Sequence, residues 1–346
     1  MSHTVTLVPG SRTITAEEDE SILDAALRAG INLPHSCRGG SCGSCRARVT
    51  GGEVFYPHGQ PPGITDEEVA EGMVLLCQAR ARGDLTAHGR AVTLVGTPAV
   101  RRLPCRIEEM HKAADDVMVL TLRLPSVERL EYLAGQYIDI VQRGGQRRSF
   151  SLASPPSADS MLELHIRHVP GGTFTDTVFS SFHEKTLLRI EGPLGGFFLR
   201  EDSPRPMLML AGGTGFAPIK SMLLHLMEKG FDRPVHFFWG ARRKVDLYQH
   251  ELAEQWQAEL DNFTYTPVLS EPGDEDWKHP RGWVHEALVA EYPALAEYDV
   301  YMAGPPPMIE AARHAFAAAG LPEDQLFFDS FEFSPQTLAS IESATP

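Results

Sequence analysis

The N-terminal part of the fold is decided by Cys37-Arg-Gly-Gly-Ser-Cys42-Gly-Ser-Cys45, a loop with three cysteines at the spacing C-x4-C-x2-C. A fourth cysteine, Cys77, lies well downstream. This is the spacing of the four thiolates that hold a [2Fe–2S] cluster. The intervening glycines allow unusual backbone angles, which can turn amide N–H groups toward the sulfurs and tune the potential of a cluster. We therefore predict that Cys37, Cys42, Cys45 and Cys77 are cluster ligands.

Two other interpretations of the cysteines are open. A zinc ribbon prefers two C-x2-C pairs, whereas this sequence has one, and the thiols could also be unligated. Cys105 stands apart, and we expect it to be a small buried hydrophobic residue. Disulfides are disfavoured because the N-terminus shows no basic region followed by an apolar one, and hence no export signal.

Composition and charge narrow the function classes. The chain has 346 residues, of which 42% are apolar and 22% charged, as expected for an ordinary globular protein of two or three domains. Its formal charge of −15 argues against nucleic acid or an anionic membrane surface as partner, and fits docking on a basic face of another protein. No apolar run is long enough to span a bilayer. We expect a cytoplasmic monomer.

Three segments differ in their apolar pattern. Residues 1–95 begin with a strand-like run, followed by a helix that Ser21 caps, with Asp24 in a capping box, and that Gly30 ends. Residues 101–202 contain short runs of alternating apolar and polar residues, typical of antiparallel strands: 117–124, 137–141, 162–168 and 187–190. Residues 203–333 alternate apolar strands with helices, which predicts a parallel sheet. Residues 334–346 are predicted to be a disordered tail.

A glycine-rich loop opens the third segment. Residues 210–219, Leu-Ala-Gly-Gly-Thr-Gly-Phe-Ala-Pro-Ile, have the pattern of strand, loop and helix, and differ from the G-x-G-x-x-G of Rossmann dehydrogenases. Glycines there let the backbone approach a pyrophosphate at a helix N-terminus, and a proline suits the first helical turn. The residues of this loop predicted to bind a nucleotide are Gly212, Gly213, Thr214, Gly215 and Pro218.

Several motifs, in order along the chain, resemble known reductases. Residues 4–94 resemble a plant-type ferredoxin domain, and all four cysteines match its ligand positions. Residues 147–151, Arg-Arg-Ser-Phe-Ser, resemble the Arg-x-Tyr/Phe-Ser flavin motif of the ferredoxin–NADP reductase superfamily. Residues 210–219 resemble its Gly-Gly-Thr-Gly-x-Ala-Pro loop, and residues 303–308 resemble its Cys-Gly-Pro-Pro-x-Met signature, with Ala303 replacing the cysteine. The second resemblance implies that Gly304 and Pro305 also bind the nucleotide.

This resemblance implies a multidomain fold of α+β and α/β classes. The expected parts are a β-grasp ferredoxin domain, an antiparallel β-barrel that binds FAD rather than FMN, and a parallel-sheet domain that binds NAD(P)H. Within the barrel, an arginine neutralises the flavin pyrophosphate, an aromatic ring packs on the isoalloxazine and a hydroxyl reaches toward N5. The implied flavin contacts are Arg148, Ser149, Phe150, Ser151, His165, Gly172, Phe174 and Thr175.

Catalytic roles follow from the same resemblance. Relatives place an acid and a terminal aromatic ring against the flavin, which implies that Asp329 lies near N5 and Phe331 near the face that binds nicotinamide. We expect Ser151 to act with them. The alternative is a final core strand with one exposed acid.

The choice of nucleotide is less defined. Arg242-Arg243-Lys244 follows a predicted strand, where cations can hold the 2′-phosphate of NADPH. A solvated turn is the alternative. Asp246 is predicted to start a helix, with Tyr248 stacking on the adenine. We expect NADH to be preferred, with NADPH possible.

Together these features predict an NAD(P)H-dependent electron-transfer reductase. Hydride passes to FAD, and single electrons then pass through the [2Fe–2S] cluster to a partner, expected to be an oxygenase of the aromatic ring-hydroxylating or diiron type. Residues 133–139, 145–149 and 188–193 resemble the CDP-6-deoxy-glucoseen reductases of deoxysugar synthesis, which gives an alternative pathway. Two further alternatives are a partner-free reductase of a small molecule and a zinc-stabilised binding module fused to a degenerate reductase.

Overall fold

The computed structural model of the chain describes residues 2–31, 33–35, 37–89, 98–273 and 276–332. The buried apolar residues of these ranges form cores in an N-terminal, a middle and a C-terminal unit, and one core of the C-terminal unit also takes in Ala134, Phe197 and Leu199 of the middle segment. Residues 90–95 of the predicted first domain and the predicted tail, 334–346, lie outside the described residues. None of the helices in the described ranges is both long and apolar enough to cross a membrane.

The N-terminal unit is a mixed sheet covered by a helix. Its elements are β1 (Ser2–Val8), β2 (Arg12–Glu17), α1 (Ile22–Arg28), β3 (Arg46–Thr50), β4 (Val54–Phe55), α2 (Asp66–Ala70), β5 (Met73–Leu75), β6 (Arg80–Ala81) and β7 (Leu85–Gly89). The main sheet has the order β2-β1-β7-β3-β5, and β1 pairs in parallel with β7. Helix α1 begins after Ser21, whose hydroxyl accepts from the Asp24 amide at 3.0 Å.

The middle unit is an antiparallel sheet. Its elements are β8 (Arg101–Ala114), β9 (Val117–Arg123), β10 (Tyr137–Val141), β11 (Arg147–Ser151), β12 (Met161–Arg167), α3 (Thr173–Ser180) and β13 (Leu187–Leu194). The strand order is β11-β10-β13-β8-β9-β12. The two edge strands come together at a bridge between Leu152 and Leu164, both fully buried. The predicted barrel is therefore a curled sheet that meets itself at one corner and does not close along its edges.

The C-terminal unit is a parallel sheet with helices on both faces. Its elements are β14 (Met207–Gly212), α4 (Phe216–Lys229), β15 (Val235–Ala241), α5 (His250–Glu259), β16 (Phe263–Leu269), α6 (Val284–Glu291), β17 (Asp299–Gly304), α7 (Pro306–Ala318) and β18 (Leu326–Ser330). The order is β16-β15-β14-β17-β18, with all neighbours parallel. The chain reverses direction across the sheet between β14 and β17, and ligands of such sheets bind at that switch point.

One helix start differs from the prediction. Helix α5 begins at His250 and not at Asp246. Instead, the Asp246 carboxylate accepts from the Arg243 amide at 3.0 Å and closes a short 3-10 turn, Lys244–Asp246. This local side-chain to backbone bond competes with the predicted helix start, because a carboxylate that accepts from the preceding Arg243 amide is turned away from the following amides that an N-cap would bind.

Candidate cofactor and nucleotide sites

The cysteine loop depends on left-handed backbone conformations. Arg38 has φ +53°, Gly40 +83° and Gly43 +73°. A Cβ on Gly40 would lie 2.7 Å from Pro61 Cβ, so the loop needs glycine there for space as well as for conformation. The backbone amide of Cys42 donates to Cys37 Sγ at 3.4 Å, which is the amide-to-sulfur contact expected of a cluster loop.

The four thiols come together as two pairs. A hydrogen bond with Cys42 lowers the pKa of Cys37 to about 5, and the same bond raises the pKa of Cys42. A bond with Cys77 likewise lowers the pKa of Cys45 and raises that of Cys77. Among the described residues, no three His, Cys, Asp or Glu side chains converge to hold a single metal ion. Two thiol pairs fit a two-iron cluster, in which each iron takes two protein ligands.

Strand β11 carries the predicted flavin motif and lies at the edge of the middle sheet. Ser149 is opposite Asp139 of β10 and donates to its Oδ1 at 2.6 Å, and Ser151 is opposite Tyr137. Arg148 is half-buried, and its Nη1 donates to the Arg147 carbonyl at 2.7 Å. An edge strand leaves one side of its backbone and alternate side chains open to a bound group.

The second predicted flavin element lies beside β11. Gly172 is the N-cap of α3, and Phe174 is buried with its ring centroid 5.5 Å from that of Phe150. The Thr175 hydroxyl bonds to the amide and the carbonyl of Val169, both at 3.1 Å. The structure thus brings together an arginine, an aromatic ring and a helix N-terminus. These groups suit a flavin: the arginine and the helix amides for its pyrophosphate, and the aromatic ring for its isoalloxazine.

His165 and Tyr248 join the middle unit to the C-terminal unit. The His165 ring is buried on β12, with its nitrogens 2.6 Å from Glu163 Oε1 and 2.8 Å from the Tyr248 hydroxyl. Lys220 Nζ of α4 lies 2.7 Å from the same Glu163 oxygen. Burial opposes ionisation of Glu163, but His165 and Lys220 hold its pKa down at about 2. Sequence reasoning missed this network because its members lie on three separate segments, namely β12, α4 and the loop before α5.

The glycine loop lies at the switch point of the parallel sheet. Gly213, Thr214 and Gly215 form a 3-10 turn directly after β14, and Pro218 lies in the first turn of α4. A Cβ on Gly215 would collide with the carbonyl oxygen of Ala303 at the end of β17. Glycine is therefore required here by close packing of the two loops.

Aromatic packing supports the loop from behind. The Trp239 indole is fully buried and stacks on Phe216 with ring centroids 4.1 Å apart. Its Nε1 donates to the Gly213 carbonyl at 3.0 Å. Gly304 and Pro305 complete the crevice, since a Cβ on Gly304 would lie 3.0 Å from the Gly212 amide and Pro305 is the N-cap of α7.

Arg167 is a candidate nucleotide contact that sequence reasoning missed. It ends β12, and its Nη2 would lie 3.2 Å from a Cβ on Gly213. Its Nε and Nη2 are buried and make no hydrogen bond with the described residues, although Asp116 is 3.5 Å from Nε. The Arg167 side chain as a whole is 38% exposed, so it is a half-buried guanidinium with two buried nitrogens that lack hydrogen-bond acceptors in the described part of the chain. Such a group beside a glycine loop is suited to an anionic group. In the sequence, the one feature that could have indicated Arg167 is its position at the end of a predicted strand that leads to Gly171 and Gly172.

The last described strand, β18, brings Asp329 and Phe331 next to the flavin strand and the Gly304 loop. Asp329 is 6% exposed on β18, and its Oδ2 accepts from the Ser151 hydroxyl at 3.4 Å. Phe331 is half-buried, packs against the core of the C-terminal unit and donates its amide to the Gly304 carbonyl at 2.9 Å. The acid is therefore not exposed, in contrast to the alternative of a plain core strand.

The run of three cations after β15 lies at the protein surface. Arg242, Arg243 and Lys244 are exposed just beyond β15, and Arg243 Nη2 lies 3.8 Å from Asp246. The Arg242 carbonyl accepts from the Glu271 amide at 2.8 Å, so the backbone of the run is fixed while its side chains face solvent. The position is compatible with both a 2′-phosphate contact and a solvated turn.

Comparisons with known families agree with the three units. A 2Fe-2S iron-sulfur cluster binding domain matches residues 5–82, an oxidoreductase FAD-binding domain residues 104–199, and an oxidoreductase NAD-binding domain residues 209–314. A fold and site of this kind define an iron–sulfur flavoprotein oxidoreductase that transfers electrons from NAD(P)H to a partner.

Individual relatives cover almost the whole chain. It is 39% identical over 331 residues to the CDP-6-deoxy-L-threo-D-glycero-4-hexulose-3-dehydrase reductase of Yersinia pseudotuberculosis, covering 96% of this chain and 99% of that one. It is 34% identical over 335 residues to the terephthalate 1,2-dioxygenase reductase component 2 of Comamonas, covering 97% and 99%. The crystal structure of the Amycolatopsis cytochrome P450 reductase GcoB has a TM-score of 0.82 at 33% identity, covering 95% and 98%. The chain belongs to this family of [2Fe–2S], FAD and NAD-binding reductases.

Proposed function

We propose that this chain is the reductase component of an oxygenase system, with a ring-hydroxylating or diiron oxygenase as its electron acceptor. The observation that carries the proposal is the contact of the middle unit with both of the others beside its flavin strand. Arg38 of the cysteine loop pairs with Asp139 of β10 at 3.1 Å, and Ser151 of β11 donates to Asp329 of β18 at 3.4 Å. Similar chains include the reductase components of a terephthalate dioxygenase, a propane monooxygenase and a phenol monooxygenase. The proposal includes a monomer, and a cytoplasmic location because none of the five cysteines forms a disulfide.

The proposal assigns roles to residues of the chain. Bound FAD supplies hydride acceptance and single-electron release, and the bound cluster carries one electron at a time. Arg148 and the N-terminus of α3, with Gly172 and Thr175, hold the flavin pyrophosphate, and Phe150 packs on the ring. Ser151 and Asp329 hold hydrogen bonds at the reacting edge of the ring, while the glycine loop and Arg167 orient the nicotinamide nucleotide.

Two electron acceptors test the proposed order of electron flow, from flavin to cluster to partner. Ferricyanide takes electrons from a reduced flavin, whereas cytochrome c and a protein partner need the cluster. Cys42→Ser should leave NADH-to-ferricyanide activity in place and abolish cytochrome c reduction. Equal loss of both activities would refute the proposed order and assign the cluster a structural role. Analysis for two irons and two sulfides distinguishes the cluster from zinc.

A second candidate partner is a CDP-hexulose dehydrase. It is favoured by the 39% identity to a reductase of that name, against 34% for the dioxygenase component. Reconstitution with a purified Rieske oxygenase, a diiron hydroxylase and a CDP-hexulose dehydrase separates the candidates. The true partner should stimulate NADH consumption at micromolar concentration and become reduced, as seen by electron paramagnetic resonance. Reduction of the dehydrase alone would overturn the oxygenase assignment.

A further inference from the structure

Strand β10 contacts both the flavin strand and the cysteine loop. On one side it pairs with β11, so that Tyr137 is opposite Ser151 and Asp139 is opposite Ser149. The Tyr137 ring also packs against His35 in a T-shaped arrangement, with ring centroids 6.0 Å apart. The His35 carbonyl also accepts from the Gly196 amide at 3.1 Å. The segment that enters the cysteine loop is therefore seated directly behind the predicted flavin contacts.

A chain of hydrogen bonds crosses this contact. Arg38 directly follows the first predicted cluster ligand, and its Nη1 lies 3.1 Å from Asp139 Oδ2. Asp139 Oδ1 accepts from the Ser149 hydroxyl at 2.6 Å. Arg38 Nη2 is held in turn by Asp24 Oδ1 at 2.5 Å, and the Arg38 carbonyl accepts from Gln78 Nε2, next to Cys77. The bonds from Arg38 through Asp139 to Ser149 join side chains only, and they link the cysteine loop to the flavin strand.

The ion pair between Arg38 and Asp139 is largely buried, and it therefore fixes the position of the cysteine loop against β10. The Asp139 side chain is 2% exposed and that of Arg38 is 18% exposed. A buried carboxylate that loses its arginine becomes an uncompensated charge, so separation of the two units at this point is strongly disfavoured. Exposed ion pairs of the middle sheet, such as Arg101 with Glu128, carry no comparable constraint.

We infer that Arg38 and Asp139 are positioning residues that seat the cluster loop against the flavin strand and so set the rate of electron transfer between the two cofactors. This rests on the proposed function. In the step concerned, the reduced flavin loses one electron and one ferric iron of the cluster becomes ferrous, with no bond formed or broken between them. Because electron transfer rates fall steeply with distance, a small shift of the loop changes this step and leaves hydride transfer unaffected.

Stopped-flow reduction by NADH tests the inference in the holoenzyme. In Arg38→Gln and in the isosteric Asp139→Asn, flavin reduction and ferricyanide activity should match wild type, while cluster reduction should slow by about tenfold or more. Arg38→Lys should recover part of the rate, since one ammonium can reach one carboxylate oxygen but lacks the fork of arginine. The exposed control Arg101→Gln should behave as wild type.

A second readout does not depend on turnover. Hydrogen–deuterium exchange of peptides covering residues 37–46 should rise in Arg38→Gln and Asp139→Asn, rise no further in the double variant, and stay unchanged in Arg101→Gln. Cluster reduction at the wild-type rate in both single variants, or loss of iron from Asp139→Asn, would overturn the inference. If wild type itself reduces neither flavin nor cluster with NADH, the proposed function fails instead.

Discussion

Ser151 of β11 and Asp329 of β18 are 178 residues apart in sequence, and the hydroxyl of the first donates to the carboxylate of the second across 3.4 Å. Both side chains are buried. The contact joins the edge of the middle sheet to the edge of the parallel sheet, beside the loop that ends β17. A polar pair at the meeting point of two binding units is suited to hold a hydrogen bond at the reacting edge of a cofactor.

Removal of either member should therefore slow hydride transfer. We expect Asp329→Asn and Ser151→Ala to lower NADH-to-ferricyanide turnover by about a hundredfold while FAD stays bound. The control Ser330→Ala lies on the same strand but bonds to Glu332 at 2.9 Å, and should keep full activity. Turnover and flavin absorbance measured on the same samples provide the check, and full activity in Asp329→Asn would exclude a catalytic role.

Arg148 and its neighbour form a matched pair for testing flavin binding. Successive side chains of a strand point to opposite faces, and Arg147 pairs with Glu191 at 3.0 Å on its own face. Arg148→Ala should weaken FAD binding by about ten- to a hundredfold, because a charged hydrogen bond contributes about 1.5–3 kcal/mol. Cluster content should not change. Titration of the apoflavoprotein measures the affinity, and an equal loss in Arg147→Ala would argue against the assignment.

Arg167 should act on nucleotide binding more than on chemistry. We expect Arg167→Gln to raise the KM for NADH by about tenfold or more with little change in kcat, as for loss of a contact that ground state and transition state share. Arg123→Gln, on the neighbouring strand β9, is the control, since Arg123 pairs with Glu108 at 3.1 Å. A fall in kcat with unchanged KM would place Arg167 in the reaction instead.

NADH should be preferred over NADPH, since Arg242, Arg243 and Lys244 are exposed beyond β15. A directed arginine–phosphate pair contributes about 1.5–3 kcal/mol, roughly ten- to a hundredfold in affinity. Without such a pair, kcat/KM for NADH should equal or exceed that for NADPH, and Arg242→Ala should leave the ratio unchanged. A tenfold NADPH preference that collapses in Arg242→Ala would show this choice to be wrong.

The Glu163 network should make the interface between the middle and C-terminal units sensitive to acid. The folded pKa of Glu163 is about 2, below the usual 4.5, so its contribution is complete above pH 4.5 and is lost as pH falls toward 2. This contribution of Glu163 to the free energy of unfolding is about 3 kcal/mol. Burial also lowers the pKa of His165. Protonation of this histidine therefore favours the unfolded state, so it too reduces stability as the pH falls.

Urea unfolding at pH 7, 4.5 and 3 measures this effect. Glu163→Gln should be less stable than wild type at pH 7 and should lose less stability as the pH falls. Glu201→Gln is the control, because Glu201 also pairs with a lysine and a histidine but at the surface. Parallel pH curves for wild type and Glu163→Gln would contradict the assigned role.

Local patterns in the sequence predicted most of the elements. Strand β10 has the predicted bounds, and α4 ends at Gly230 as expected, because period and glycine positions are local properties. The start of α5 was wrong because a side-chain bond of Asp246 replaced the first helical turn.

Contacts between distant segments were harder to predict. The hydroxyl of Tyr248 bonds to His165, 83 residues away, and no local pattern indicated that partner; its stacking on adenine stays a prediction. Arg167 received no role because only the fold brings it next to Gly213. Motif residues were found because their spacing is short, while residues that join units depend on packing that one sequence does not reveal.

The indole of Trp239, bonded to the Gly213 carbonyl at 3.0 Å, gives the nucleotide loop an intrinsic optical probe. All four tryptophans of the chain lie between residues 239 and 283, in the C-terminal unit. Fluorescence excited at the indole band therefore originates in this unit. Nucleotide docking on the loop should be visible as quenching of Trp239 emission, without a label.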